Sequence, residues 1–524
     1  MKYIDMETKI KKWYKALSPI YKKSFWFAFA LINIAFSFHT INFMFGDHDW
    51  NYVSSASSWN EGAFEGRPLH FILQSIFFNG QVLPILNNLM SFAAMALSGI
   101  LLARYWRIPN SLLNYTLFST FIAILPLTLA WLFYAKDCLI NLSLPLIMIA
   151  GLSLSDINTS LKNYWWHFIA IIIFYFAFAS YIAILNLLAV CLLGRVLIDD
   201  ASGIKLIDII KQKLSVIVDI IVALMLFKLT LVLSQTPAGY NTEAISLDIL
   251  PQKFIETLKV MFTQLLIPIP FMEYKYKSLL FILLLMGICF VIDKGGIRKL
   301  PIIVLLILAV LFASKLAFFI ADERGQVLAE LENFAFVPRL DFYGLAYVYA
   351  LGLAAVLIYT KGWWYKLGIT LAIIITFMSG VRDMYAQKVW KLGFDAEMKA
   401  HERIVSRLEQ MPNFYADHKY RLLQIGSLSL RSNYYIKEEN EATSLDLLST
   451  SFTPQYMSRI VYNFYYPEHI FSDNAVISDL SEVGKNYLRH QATVWPMQGS
   501  IFIDGNIVII VLTEEGLKAA KEKL

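Results

Sequence analysis

Two carboxylates flanking a histidine, Asp47-His48-Asp49, lead directly into Trp50-Asn51-Tyr52 and follow the first long apolar run of the chain, Phe25 to Phe45. The same loop, residues 46–81, then delivers Gly66-Arg67-Pro68-Leu69-His70. A carboxylate beside an apolar wall holds its proton more readily than one in water and can serve as a general base near neutral pH. Asp47 or Asp49 could therefore take the proton of an attacking sugar hydroxyl. Arg67 carries a planar fork matched to phosphate oxygens, which suits a phosphate leaving group. Trp50 and Trp59 offer faces on which a sugar ring can stack, and His70 is grouped with them as a sugar or acceptor contact. The plainer reading has Asp47 capping a helix, Arg67 paired with Glu61 or Glu65, and the tryptophans anchored among lipid headgroups.

Two further clusters have the same character. Lys136-Asp137 falls in a short turn between apolar stretches, where charge is useful if the turn faces a water-filled site and otherwise is simply solvated. Asp137 is a second catalytic candidate and Lys136 a phosphate contact. Asp322-Glu323-Arg324, Arg339 and Asp341 flank the ends of two more apolar stretches, so Arg324 and Arg339 could also grip a phosphate. Snorkelling at span ends accounts for the same residues.

The elements that must position these groups are membrane spans. The chain has 524 residues, 57% hydrophobic and 16% charged, with a mean hydropathy of +0.55; soluble domains carry about 25% charged residues. Apolar runs of about 20 residues, enough to cross roughly 30 Å of hydrocarbon, recur along the first part of the chain. Eleven spans are expected, at about 25–45, 82–103, 112–133, 138–154, 166–181, 183–198, 214–234, 279–293, 300–321, 339–359 and 365–380. Reading 166–198 as two spans puts Arg104/Arg107, Lys162, Arg195/Lys205, Lys294/Arg298 and Lys361/Lys366 on one side, with the lysine-rich residues 1–24, and that side is cytoplasmic by the positive-inside rule. The candidate residues then share the opposite face. Loop 235–278 contains an amphipathic stretch, Pro251 to Leu266, expected to lie on that outer surface. From 381 to 524 charge density returns to ordinary values. A helix over Asp383–Gln410, strands over Tyr420–Ile425 and Ile501–Leu512 (turning at Asp504-Gly505) and a closing helix Glu514–Leu524 predict a small extracytoplasmic α/β domain.

The lysine-rich start, the acidic pair Asp47-His48-Asp49-Trp50 after the first span, and Gly66-Arg67-Pro68-Leu69 near the end of the loop resemble the bacterial Gtr-type O-antigen glucosyltransferases and, more broadly, the GT-C superfamily of polytopic helical membrane enzymes. The resemblance covers about residues 20–380 and rests on the loop motif. It implies a sugar, glucose by analogy, carried on a polyprenyl phosphate. It also implies a lipid-linked glycan acceptor such as O-antigen, and an inverting reaction at the periplasmic face of a bacterial inner membrane. The family's first-loop aspartate maps to Asp47 or Asp49 and its second-loop acid to Asp137. His48 interrupts the adjacent acidic pair of many relatives, which leaves both the identity of the base and the use of a metal open. No cofactor is required by this reading, and a divalent Mg or Mn ion is compatible with it.

Other classes fare differently. A net charge of +5, from 45 basic and 40 acidic residues, is small for this length and gives no footprint for nucleic acid. Three cysteines, all in apolar segments, offer no disulfide framework. A glycan transporter predicts ionisable residues at the midplane of several spans, where this chain has little beyond Asp219 and Lys228. A polysaccharide polymerase, also multispanning with outer arginines, stays open beside the transferase.

Overall fold

The computed structural model describes residues 18–42, 44, 66–78, 81, 83–132, 134–157, 164–236, 250–266, 274–320, 338–428, 455–466 and 468–524. These fall into two compact units, one ending at Met384 and one running from Tyr385 to Leu524, the latter taking in Asn42 and Met44.

The first unit is helical, and all eleven apolar stretches form helices. Seven are long and apolar enough to cross a membrane: Pro84–Tyr105, Asp137–Asp156, Ile182–Ala201, Leu206–Leu233, Tyr276–Gly295, Asp341–Tyr359 and Gly362–Glu409. An eighth is a bent pair, Leu112–Ile124 and Pro126–Leu132, turned by 50° at Leu125-Pro126. The remaining three expected spans are short, with 17 residues in Pro19–Ala35 and Tyr164–Ser180 and 14 in Leu300–Ala313. At 1.5 Å per residue they reach only about 21–26 Å, less than the hydrocarbon core. The stretch 166–198 does divide in two, at Tyr181. The helix from Asp341 to Tyr359 is buried almost all round, whereas Leu206–Leu233 leaves most of its apolar surface outward, as a lipid-facing helix does.

One expected boundary is absent. The span at 365–380 and the amphipathic helix at 383–410 are a single element, Gly362–Glu409. No proline stands between them, and the lone Gly380 costs only about 1 kcal/mol against alanine, so nothing in the sequence stops the helix.

The second unit holds a four-stranded sheet in the order β2-β1-β4-β3: β1 Tyr420–Ile425, β2 Phe471–Asn474, β3 Ile501–Asp504 and β4 Ile507–Val511. β1 is parallel to β2 and β4, while β3 and β4 form the antiparallel hairpin expected at Asp504-Gly505. Alternate residues feed two cores. Leu422, Val508 and Ile510 pack on one face with Tyr462 and Phe471; Leu423, Ile425, Ile509 and Val511 pack on the other with Leu488 and Leu517. β4 is buried on both faces, which is why it reads as an unbroken Ile-Val run.

Candidate functional site

Four chain irregularities at one end of the helical bundle bring chemistry together. The first is Gly66-Arg67-Pro68. Gly66 has φ +71°, a conformation that favours glycine, and Pro68 opens the helix Pro68–Phe78 at a position where its missing N–H costs nothing. The backbone therefore turns sharply at Arg67, and His70, whose N–H donates to the Arg67 carbonyl at 3.2 Å, lies in the first turn of the helix.

The second is the start of the helix Ala135–Ile157. Asp137 occupies its first turn, where the helix dipole favours negative charge. His70 Nε2 and Asp137 Oδ1 are 2.7 Å apart. The histidine is 1% exposed and the carboxylate 19%. His70, expected as a sugar or acceptor contact, thus stands behind the aspartate and holds it, while Asp137 is the group that remains reachable.

The third and fourth irregularities supply aromatic rings. Tyr181 is the extended residue between the helices Tyr164–Ser180 and Ile182–Ala201, and Tyr343 ends the short helix Pro338–Tyr343. Trp131, from the bent pair, completes a cluster with ring centroids 5.2 Å from Tyr181 and 5.8 Å from Tyr343; the two tyrosines are themselves 5.8 Å apart. The Arg67 guanidinium lies 4.9 Å from the centre of the Tyr181 ring, a cation–π contact. Arg67 and Asp137 are both close enough to act electrostatically on the Tyr343 hydroxyl.

Tyr343 is held by a consequence of sequence. Pro145 lies inside the helix Ala135–Ile157 and has no N–H to give the carbonyl four residues back, that of Asn141. The Tyr343 hydroxyl donates to that carbonyl at 2.8 Å. The Asn141 side chain in turn donates to the Asp137 carbonyl at 3.0 Å, tying the tyrosine to the turn that carries the carboxylate. A freed backbone acceptor deep in a helical membrane protein is thereby satisfied by a neighbour.

The structure brings together Arg67, His70 and Asp137 from the sequence candidates. Lys136 lies in the first turn beside Asp137, and Arg339 in the helix Pro338–Tyr343. Asp47, Asp49, Trp50, Trp59 and Arg324 lie outside the described residues. Sequence reasoning missed Trp131, Tyr181, Asn141 and Tyr343. Pro145, eight positions after Asp137, was the signal available for the last two.

The other end of the bundle is stapled by ion pairs. Arg195 and Arg107 both reach Asp199, at 2.8 and 3.0 Å, Lys299 reaches Asp200 at 3.0 Å, and Lys213 pairs with Asp156. Asp219, one of the few charged residues within the spans, accepts from Ser155 at 2.6 Å and lies 2.8 Å from His167 Nδ1.

A half-buried carboxylate held by a buried histidine can accept a proton, and a guanidinium lying on the Tyr181 ring can hold an anion, while the buried rings of Trp131 and Tyr343 back that tyrosine. Comparisons with protein families, curated proteins and solved structures give no match to this chain.

Proposed function

We propose that the protein is a membrane glycosyltransferase that moves a sugar from a polyprenyl-phosphate donor to a lipid-linked glycan on the extracytoplasmic side. The observation that carries this reading is the pairing of Asp137 with His70 beside Arg67 and the Trp131/Tyr181/Tyr343 cluster. Asp137 takes the proton of the acceptor hydroxyl. The hydroxyl oxygen bonds to the anomeric carbon as the bond from that carbon to the phosphate oxygen breaks, with inversion, and the polyprenyl phosphate leaves carrying the electron pair. Arg67 faces the charge that builds on the phosphate. Asp47 and Asp49 stay in the proposal as the first-loop acids of the resembled family, with Lys136, Arg324 and Arg339 as further phosphate contacts and Trp50 and Trp59 as sugar contacts.

The test is sugar transfer by the full chain in lipid nanodiscs, with polyprenyl-phosphate-glucose and a lipid-linked glycan. Asp137→Asn is expected to lower turnover by about 10²–10⁴-fold, the range of a lost general base, while donor binding persists. Asp47→Asn and Asp49→Asn, run alongside, identify the first-loop acid that matters. A wild type that transfers nothing from a monophosphate donor overturns the reading.

A further inference from the structure

The helix Leu250–Leu266 presents three different sectors around its circumference. At about 100° per residue, Phe254, Ile255, Leu258, Phe262 and Leu266 fall within about 120° of one another. Four of these five are exposed, Phe254 at 47% and Leu266 at 65%, with Ile255 and Phe262 between them in degree. Beyond them a sector of about 60° carries Gln252, Glu256 and Lys259. There the Gln252 amide donates to the Glu256 carboxylate at 2.9 Å in an exposed hydrogen bond. The remaining sector holds the buried residues Lys253, Thr257, Val260, Met261 and Gln264, with Leu265 joining them from the last turn. Gln264 Nε2 reaches the Asp341 carboxylate at 3.4 Å, so this sector is the one held by protein.

No single solvent suits the other two sectors. In water the apolar one would stay wet, and in hydrocarbon the Lys259 ammonium and the Glu256 carboxylate would lose their hydration. A helix lying at the boundary satisfies both, with its apolar sector toward hydrocarbon.

The neighbouring helix Leu300–Ala313 shows which way hydrocarbon lies. It turns Leu305, 67% exposed, and Leu308 outward, and Phe312 follows on the same face. That stripe ends against the apolar sector of Leu250–Leu266, where the ring centroids of Phe254 and Phe312 are 5.2 Å apart. Beyond Phe312 the chain breaks at Ser314-Lys315, and the short helix Leu316–Ile320 turns into the bundle, its Ala317 N–H donating to Asn186 Oδ1 at 2.6 Å. Asn186 belongs to the stretch Ile182–Ala201 that follows Tyr181, so this is the end of the bundle that carries Asp137. The 14 residues of Leu300–Ala313 reach about 21 Å, against about 30 Å of hydrocarbon.

We infer that the helix Leu250–Leu266 is half-immersed in the membrane at this end of the bundle, and that the partner its exposed apolar face fits is the acyl layer of one leaflet. The sector from Phe254 to Phe262 lies in lipid hydrocarbon, and the sector with Lys259 and Glu256 lies among headgroups and water. The helix thereby continues the lipid-facing surface of a short span that the bilayer would otherwise have to meet by thinning. Such a placement needs neither donor nor acceptor and goes beyond the transfer reading.

The experiment places nitroxide spin labels on the full chain in lipid nanodiscs through Phe254→Cys, Phe262→Cys and Lys259→Cys. Each is made in a Cys289→Ser background, because Cys289 is the exposed native cysteine. Molecular oxygen concentrates in hydrocarbon, and a water-soluble nickel chelate is excluded from it. Labels at 254 and 262 are expected to collide several-fold more with oxygen than with nickel, and a label at 259 to show the reverse preference. Equal nickel access at all three positions overturns the placement. Shielding of 254 and 262 from both reagents also overturns it, since protein then covers the face; dipolar broadening between labels would identify that cover as a second copy of this chain. A measurement on the unsubstituted protein stands behind any variant that fails to insert: phosphatidylcholine with a photoreactive group on its acyl chain is cross-linked to the wild type. Label on the peptide spanning 250–266 supports the placement, and label confined to other peptides overturns it.

Discussion

At the residue scale, His70 and Tyr343 divide the work around Asp137. His70 is buried and touches the carboxylate rather than the substrate, so it is a positioning residue. Replacing it with phenylalanine removes one hydrogen bond to a charged group, worth about 1.5–3 kcal/mol, and is expected to lower kcat on the order of ten-fold or more with KM for the donor little changed. His70→Gln, which can still donate to the aspartate, is expected to recover part of that rate; a role in packing alone would give the reverse order. Tyr343→Phe leaves the Asn141 carbonyl without its 2.8 Å donor and is expected to cost about 1 kcal/mol in thermal unfolding. Residue types and loop positions made Arg67, His70 and Asp137 legible in the sequence. The roles were less legible, since nothing in a sequence tells which member of a His–Asp pair is 1% exposed and which is 19%.

At the element scale, apolar length and the change in charge density near residue 380 were enough to find the eleven long apolar stretches and the hairpin of the second unit, but not the shorter helices Pro68–Phe78, Gln455–Phe464 and Glu482–His490. Three further features escaped for identifiable reasons. The helix Gly362–Glu409 continues because a stop needs a breaker and the sequence contains none. The helix Leu250–Leu266 forms where an amphipathic helix was expected, but Lys253, Thr257 and Gln264 are buried in it beside Val260, Met261 and Leu265, because periodicity shows that two faces differ and not which one meets protein. β2 is four residues long and partly polar, too brief to register as a strand. Gly344 carries the prediction at this scale. It breaks the chain between the helices Pro338–Tyr343 and Leu345–Tyr359, and a Cβ there would clash with the Ser314 carbonyl oxygen. Backbone cannot yield as a side-chain tip does, so Gly344→Ala is expected to push the two segments apart beside Lys315. A lower melting temperature is the expected readout, with Gly380→Ala, where a Cβ would make only ordinary van der Waals contact, 3.6 Å from Ile124, as the comparison.

At the scale of the whole molecule, the second unit contains its own pH response. His401 is fully buried in the Gly362–Glu409 helix, with Nδ1 3.0 Å from the Glu397 carbonyl, and burial pushes it down to about 3 from the usual 6.5. Because the unfolded chain binds this proton more readily than the folded one, the stability tied to His401 is complete above about pH 6.5. It is lost as pH falls toward 3, by at most about 1.4 kcal/mol per pH unit. Resistance of the sheet to proteolysis is expected to fall between pH 7 and about pH 5, and His401→Phe is expected to flatten that dependence. The hydrogen bond from Tyr343 to Asn141 joins positions 202 residues apart and exists because Pro145 withholds a donor. Inheritance should register this dependence. In any descendant or ancestor of the chain where position 145 regains an N–H, the tyrosine loses its acceptor to the helix, and phenylalanine at 343 becomes neutral. Substitutions at 145 and 343 should therefore travel together through lineages, with Pro/Tyr and non-Pro/Phe as the two common pairs and the mixed pairs rare.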